Sequence, residues 1–251
     1  AESSLTIEGI GTVVDCGWMR VSRFSPATGM ERLETLRITR DRADQRRGRA
    51  GRLAPGFCYR LWDEATDAAL APASPPEILA ADLAATVLIL ADWGVCGRAG
   101  APWITPPPEA AWQQAVALLQ SLAALDAQGC ITPQGRRMAA LPMHPRLAHM
   151  VLRAQDRGEA RTACLLAALL SEPGAMMARP GAPPGADLQD LLDALRHDDR
   201  SVLPREPARR IHALAAEWRH SLGGKDIADD CAAAPGPLLL DAFPDRVGRR
   251  R

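Results

Sequence analysis

The sequence predicts an α/β unit at its start, followed by a mostly α region. Three observations carry this. Apolar runs of strand length lie at residues 11–15, 18–24 and 56–62 and flank one arginine-rich helical segment, the strand and helix alternation of an α/β layer. Beyond residue 76 the apolar residues recur at helical spacing. Stretches rich in Pro and Gly punctuate these helices.

Taken in order, residues 11–15 (GTVVD) are a strand candidate, and residues 18–24 form a second that enters a tight turn at 25–29 (SPATG). Thr39 is placed as the N-cap of a helix that runs to Ala50, with Gly51 as its C-terminal break. Residues 56–62 alternate as a closing strand, and the Ala- and Pro-rich residues 65–76 read as a linker. Helices are expected over 77–93, ended by Gly94, and over 109–127 after three prolines, with a turn at 128–133. Further helices are expected over 145–157, 159–170, 187–197 and 206–222. Between the second and third of these, residues 172–185 read as an extended loop rich in Pro and Gly.

Composition narrows the function classes. A chain of 251 residues, 47% of them hydrophobic, supports more than one compact unit with a real core. The net charge is zero, so no general attraction to nucleic acid is implied, yet eight arginines and only two acids lie between Arg37 and Arg60. The six cysteines are widely spaced and form no C-x-x-C pair, which excludes a zinc ribbon and a sequence-local redox motif. Buried, reduced thiols in a cytoplasmic protein are the expectation, with no metal site. No apolar run is long enough to span a membrane, and the first residues do not resemble a signal peptide. Lys225, the only lysine, lacks the surroundings of a phosphate-binding loop, and no G-x-x-x-x-G-K-[ST] or Asp-Glu-x-His stretch is present. His144, between Met143 and Pro145, reads as a helix-entry histidine making a local hydrogen bond, and the scattered tryptophans read as core.

Residues 45–52 (QRRGRAGR) are the most informative segment. Along a helix, Gln45, Arg49 and Arg52 fall at i, i+4 and i+7 and share a face, while Arg46 and Arg47 project elsewhere. Two planar, permanently charged guanidinium forks on one face suit phosphate oxygens. The competing reading is a solvated arginine-rich helix end or a general RNA-binding patch.

These eight residues resemble the QRxGRAGR motif VI of DEAH-type superfamily 2 helicases. Residues 1–10 (AESSLTIEGI) resemble the latter part of motif V, and Val13, Val14, Asp15, Cys16 and Gly17 are similar to the VVDSG that follows it. Residues 141–148 (LPMHPRLA) and 243–247 (FPDRV) resemble the HrpB-type bacterial branch of this DEAH/RHA group in particular. The resemblance implies an internal or C-terminal piece of an ATP-dependent RNA or DNA helicase. It implies the end of a second RecA-like lobe over residues 1–64, a winged helix over 65–140, a helical ratchet bundle over 141–234 and the start of a C-terminal domain over 235–251. It further places a β-hairpin near residues 20–30 and the wing near 131–136.

The same resemblance gives roles. Arg49 and Arg52 become arginine fingers that reach the γ-phosphate of ATP, and Gln45 positions phosphate or the attacking water. Thr6 and Glu8 match nucleotide-contacting positions, and Ser3 and Ser4 match positions that couple to the nucleic-acid backbone. ATP with Mg²⁺ is the implied cofactor, single-stranded RNA or DNA the partner, and an upstream RecA-like lobe the supplier of the nucleotide cradle and Mg²⁺ ligands. This chain alone is then not expected to hydrolyse ATP. The alternative is a non-catalytic module that binds nucleic acid or protein.

Overall fold

The computed structural model describes residues 9–25, 30–172, 187–223 and 233–248. Ser3, Ser4, Thr6, Glu8 and Lys225, and nearly all of the expected loop at 172–185, lie outside these residues. The chain divides into two compact units, one of residues up to Leu83 with 101–114, the other of residues 84–100 and from 115 onward.

The first unit is built on two small sheets. Strand β1 (Thr12–Asp15) pairs in parallel with β4 (Phe57–Arg60), in the register Thr12 to Phe57 through Asp15 to Arg60. Strands β2 (Trp18–Ser25) and β3 (Met30–Arg37) form an antiparallel hairpin in the expected region. Helix α1 (Arg40–Ala50) crosses from β3 to β4 and begins and ends where the sequence predicts. Its capping differs, however. Thr39 has the extended backbone of an N-cap but makes no capping bond with its side chain, and its hydroxyl lies 3.1 Å from that of Ser74. Gly51 ends the helix at a negative φ of −99°, open to most residues.

The linker expected at 65–76 is instead packed structure. Asp63 caps α2 (Glu64–Ala68) by accepting from the Thr66 amide, and Leu70 is buried with Ile38 and Ala43. The carbonyls of Ala71 and Pro72 accept from Arg40 and Asp41, the first amides of α1, which no helical partner can satisfy. The helix expected over 77–93 is also interrupted. A 3-10 turn (Glu77–Leu79) is followed by a break, and α3 spans only Ala84–Asp92. The Ala80 carbonyl accepts from the Phe24 amide of the hairpin, so a tertiary bond takes the acceptor that a continuous helix would use.

Helix α4 (Glu109–Ser121) stops short of the expected Ala127. Ala123 takes a left-handed φ of 55°, and an isolated antiparallel bridge joins Leu125 to Ile131. Residues 131–136 therefore divide between this bridge and the start of α5 (Pro133–Ala139), where the Thr132 hydroxyl accepts from the Gly135 amide.

In the second unit, α6 (Pro145–Asp156) starts with a proline at its first position. His144 Nδ1 accepts from the Arg146 amide at 3.2 Å, the local bond the sequence suggests. Helix α7 (Ala160–Ser171) is apolar nearly all round and is buried from Thr162 through Leu169, as a central helix must be. Around it lie α6, α9 (Arg205–Ser221) and α10 (Pro235–Ala242), with Leu191 and Leu192 of α8 (Leu188–His197) in the same core. Helix α10 has no counterpart in the sequence reading. Arg146, itself buried, holds it with a bond to the Ala242 carbonyl and a two-pronged ion pair to Asp245 at 2.6 and 2.7 Å.

His149 on α6 is half-buried, and burial lowers its pKa, with Arg153 pushing the same way and Asp241 opposing. A depressed histidine favours the neutral ring in the fold. Its contribution is thus complete above the unfolded value of about 6.5 and is lost as pH falls through the lower folded value. Urea midpoints should decline between about pH 7 and pH 5, and His149→Gln should flatten that decline.

Candidate phosphate-handling site

Helix α1 presents three faces, and its arginines divide among them. Ala43, Arg46 and Ala50 form the inward stripe; both alanines are buried. Arg46 is one of the two arginines set apart from the predicted face, and it is a structural anchor. Its Nη1 donates to Asp15 Oδ1 at 2.8 Å, and both terminal nitrogens donate to the Trp18 carbonyl at 3.1 Å. Asp15 is fully buried, accepts from the Gly17 amide with the same oxygen and ends β1, so the pair fastens the helix to the sheet. Gly17 adopts φ +77°, and an added Cβ would come within 2.9 Å of the Trp62 ring.

On a second face Arg40, Asp44 and Arg47 line an open cleft of ≈ 550 Å³ with Arg60, Trp62 and Asp67. Arg60 donates to Asp44 and Asp67 at 2.8 Å each, and Trp62 donates to Asp67 at 2.9 Å. Partial burial works against the Arg60 charge, but the two carboxylates outweigh it and raise its pKa. Asp67 is held below the usual carboxylate range, first by the Trp62 hydrogen bond and then by Arg60. These charges satisfy one another.

The third face carries the predicted residues. Arg49 and Arg52 line one recess of ≈ 110 Å³ with Gly9, Ile10, Gly11 and Pro55. Arg52 lies beyond the helix end, so the turn after Ala50, and not helical periodicity, brings it to Arg49. Gln45 is exposed one turn earlier and is not among the lining residues. The recess depends on a close approach at Gly56, where a Cβ would collide with the carbonyl oxygens of Ala50 and Gly11. Beside it, the Phe57 amide donates to Gly11 O at 2.9 Å. By contrast, Gly48 and Gly51 face open space, so the close approach within the segment falls at neither.

Sequence reasoning missed two arrangements. The Arg46 and Asp15 anchor had a faint signal, since Ala43, Arg46 and Ala50 recur at i, i+3 and i+7 with two small apolar members. The second concerns cysteine: Cys16, Cys96 and Cys130 are exposed, against the expectation of burial, and only Cys164 among the described cysteines is fully buried. Burial pushes the Cys164 thiol up to about 12. The tryptophans are likewise mixed: Trp112 and Trp218 are core, whereas Trp93 is exposed and Trp18 lies beneath the Arg37 guanidinium at 4.5 Å.

Among the described residues, no helix is long and apolar enough to cross a membrane. The family description "Helicase associated domain (HA2), winged-helix" matches residues 115–143. The ATP-dependent RNA helicase HrpB of Escherichia coli is 39% identical over 251 residues, which is the whole of this chain and 28% of that protein. The pre-mRNA-splicing factor ATP-dependent RNA helicase prp22 of Schizosaccharomyces pombe is 40% identical over 174 residues, 69% of this chain and 15% of that one. Two crystal structures of E. coli HrpB superpose with TM-scores of 0.73 and 0.78 at 37% identity. Each match covers 99% of this chain and 28% or 29% of the other. The chain thus spans under a third of the length of the relatives it matches, and it belongs, as a segment, to the HrpB-type branch of the DEAH/RHA helicases.

Proposed function

We propose that this chain is the part of an ATP-dependent, cytoplasmic RNA or DNA helicase that senses the γ-phosphate and carries the nucleic-acid-holding helical domains. The observation that carries the reading is the recess where Arg49 and Arg52 meet Gly9 to Gly11, the tail of the motif V resemblance. Two arginines beside Gly9 and Gly11 bring together residue types suited to a phosphoryl group, and in this reading their guanidinium groups stabilise charge that develops during its transfer. Arg49 and Arg52 would meet the triphosphate. Gln45 orients phosphate or water, Thr6 and Glu8 meet the nucleotide, and Ser3 and Ser4 meet the nucleic-acid backbone. When bound, MgATP supplies the transferable phosphoryl group, and the Mg²⁺ ligands belong to an upstream RecA-like lobe.

The β1 and β4 pair supports the need for that lobe or for further strands. Parallel strands are ordinarily covered on both faces, yet Val14, Phe57 and Tyr59 are 64, 68 and 57% exposed. In this reading residues 1–64 end the second RecA-like lobe, 65–140 form the winged helix, 141–234 the ratchet bundle and 235–251 open a C-terminal domain. The test compares this chain with a version extended by its upstream lobe. Only the extended protein should hydrolyse ATP, and single-stranded RNA should stimulate it. An extended protein that binds RNA without turnover would favour the non-catalytic module.

A further inference from the structure

Cys96 and Cys130 are 34 residues apart in sequence, yet their Sγ atoms lie 3.5 Å apart and both residues are exposed. Each sits in a tightly held turn. Gly94 and Gly97 flank Cys96 with φ of +82° and +79°, and the Val95 amide donates to the Leu90 carbonyl at 2.8 Å. On the other side Cys130 follows Gly129 at φ +80°. Its amide donates to Asp126 Oδ1 at 2.8 Å, and its carbonyl accepts from the Asp126 amide at 2.9 Å. Thiols held this close on ordered turns need only a small side-chain rotation to bond, and solvent gives an oxidant access to both.

We propose that Cys96 and Cys130 form a reversible intramolecular disulfide, a redox-sensitive staple between the loop after α3 and the turn that contains the Leu125 and Ile131 bridge. The oxidant class is a small-molecule disulfide. The Cys96 thiolate attacks one sulfur of oxidised glutathione, forming a mixed disulfide and releasing one glutathione thiolate, which takes up a proton. Cys130 then gives its proton to solvent and attacks Cys96 Sγ, so the protein disulfide forms and the second glutathione leaves. Two protein thiols are oxidised by two electrons and one glutathione disulfide is reduced to two thiols. The Cys130 pKa is raised first by the hydrogen bond with Cys96 and further by the Cys96 and Asp126 charges, and Cys130 takes the resolving role in this sequence. Both cysteines belong to the second unit, and the staple does not rest on the helicase reading.

The test treats the 251-residue chain with oxidised glutathione, then blocks free thiols and maps tryptic peptides by mass spectrometry. The peptides ending at Arg98 and Arg136 should appear joined within one chain, and dithiothreitol should separate them. Closing a loop of this size should raise the unfolding midpoint by about 5–10 °C, and Cys96→Ser or Cys130→Ser should abolish the rise while leaving the reduced midpoint near its parent value. Persistent alkylation of both cysteines, stable glutathione adducts on either, or links only between two chains would each overturn the staple.

Discussion

Replacing Arg49 or Arg52 with alanine in the lobe-extended protein should lower the turnover of ATP stimulated by single-stranded RNA by about a hundredfold or more. Such a loss corresponds to about 2.7 kcal/mol of transition-state stabilisation. The binding of a fluorescent ATP analogue should change far less if, as proposed, the upstream lobe cradles the triphosphate and the arginines act on charge that appears during transfer. Arg49→Lys should recover little, since an ammonium keeps the charge but not the planar fork. The two residues enter the recess by different routes, one from the last turn of α1 and the other from the loop after it, so each variant tests a separate placement. Full turnover in both variants would reduce these arginines to surface charge and leave the binding module as the better account.

Asp15→Ala should destabilise the first unit by about 3 kcal/mol, because it leaves the Arg46 guanidinium without its carboxylate partner beneath the helix. The Gly17 amide also loses its acceptor. Asp15→Asn keeps a side-chain oxygen for that amide and should cost less. Hydrogen exchange resolved along β1 and α1 reports the effect where it arises, whereas a global midpoint mixes two compact units. Unchanged protection in Asp15→Ala would show that the anchor contributes nothing. This pair also separates two roles within one short segment: Arg46 holds the helix in place, and Arg49 and Arg52 present charge from it.

Local signals made much of the fold legible. The start and end of α1, the strands β1, β2 and β4, the proline at the head of α6 and the apolar α7 all follow from spacing and turn chemistry. Where the reading failed, a partner outside the run itself decided the backbone. Residues 77–93 carry helical periodicity throughout, but the Ala80 carbonyl is claimed by Phe24. The run SLAALDA has excellent helix propensity, yet α4 ends at Ser121 and Ala123 turns left-handed so that the Leu125 and Ile131 bridge can form. Residues 65–76 look like a linker in composition because Ala, Pro and Ser reveal nothing of the α1 amides they satisfy. At the site, the identity of the segment was plain and its internal division was not, since arginines read alike until burial sorts them. The proximity of Cys96 and Cys130 left no trace in a linear reading.

The parallel pairing of Thr12 with Phe57 sets the order in which the recess can come into being. Its first wall, Gly9 to Gly11, is synthesised before its second, Arg49 to Pro55, which follows only after the hairpin and α1. The parallel partner of β1 arrives only through a long crossover, after the hairpin and α1. Phe57 donating to Gly11 is both a rung at the start of the sheet and the clasp that closes the recess. The close approach at Gly56 that shapes the recess and the pairing of β1 with β4 therefore share one stretch of backbone.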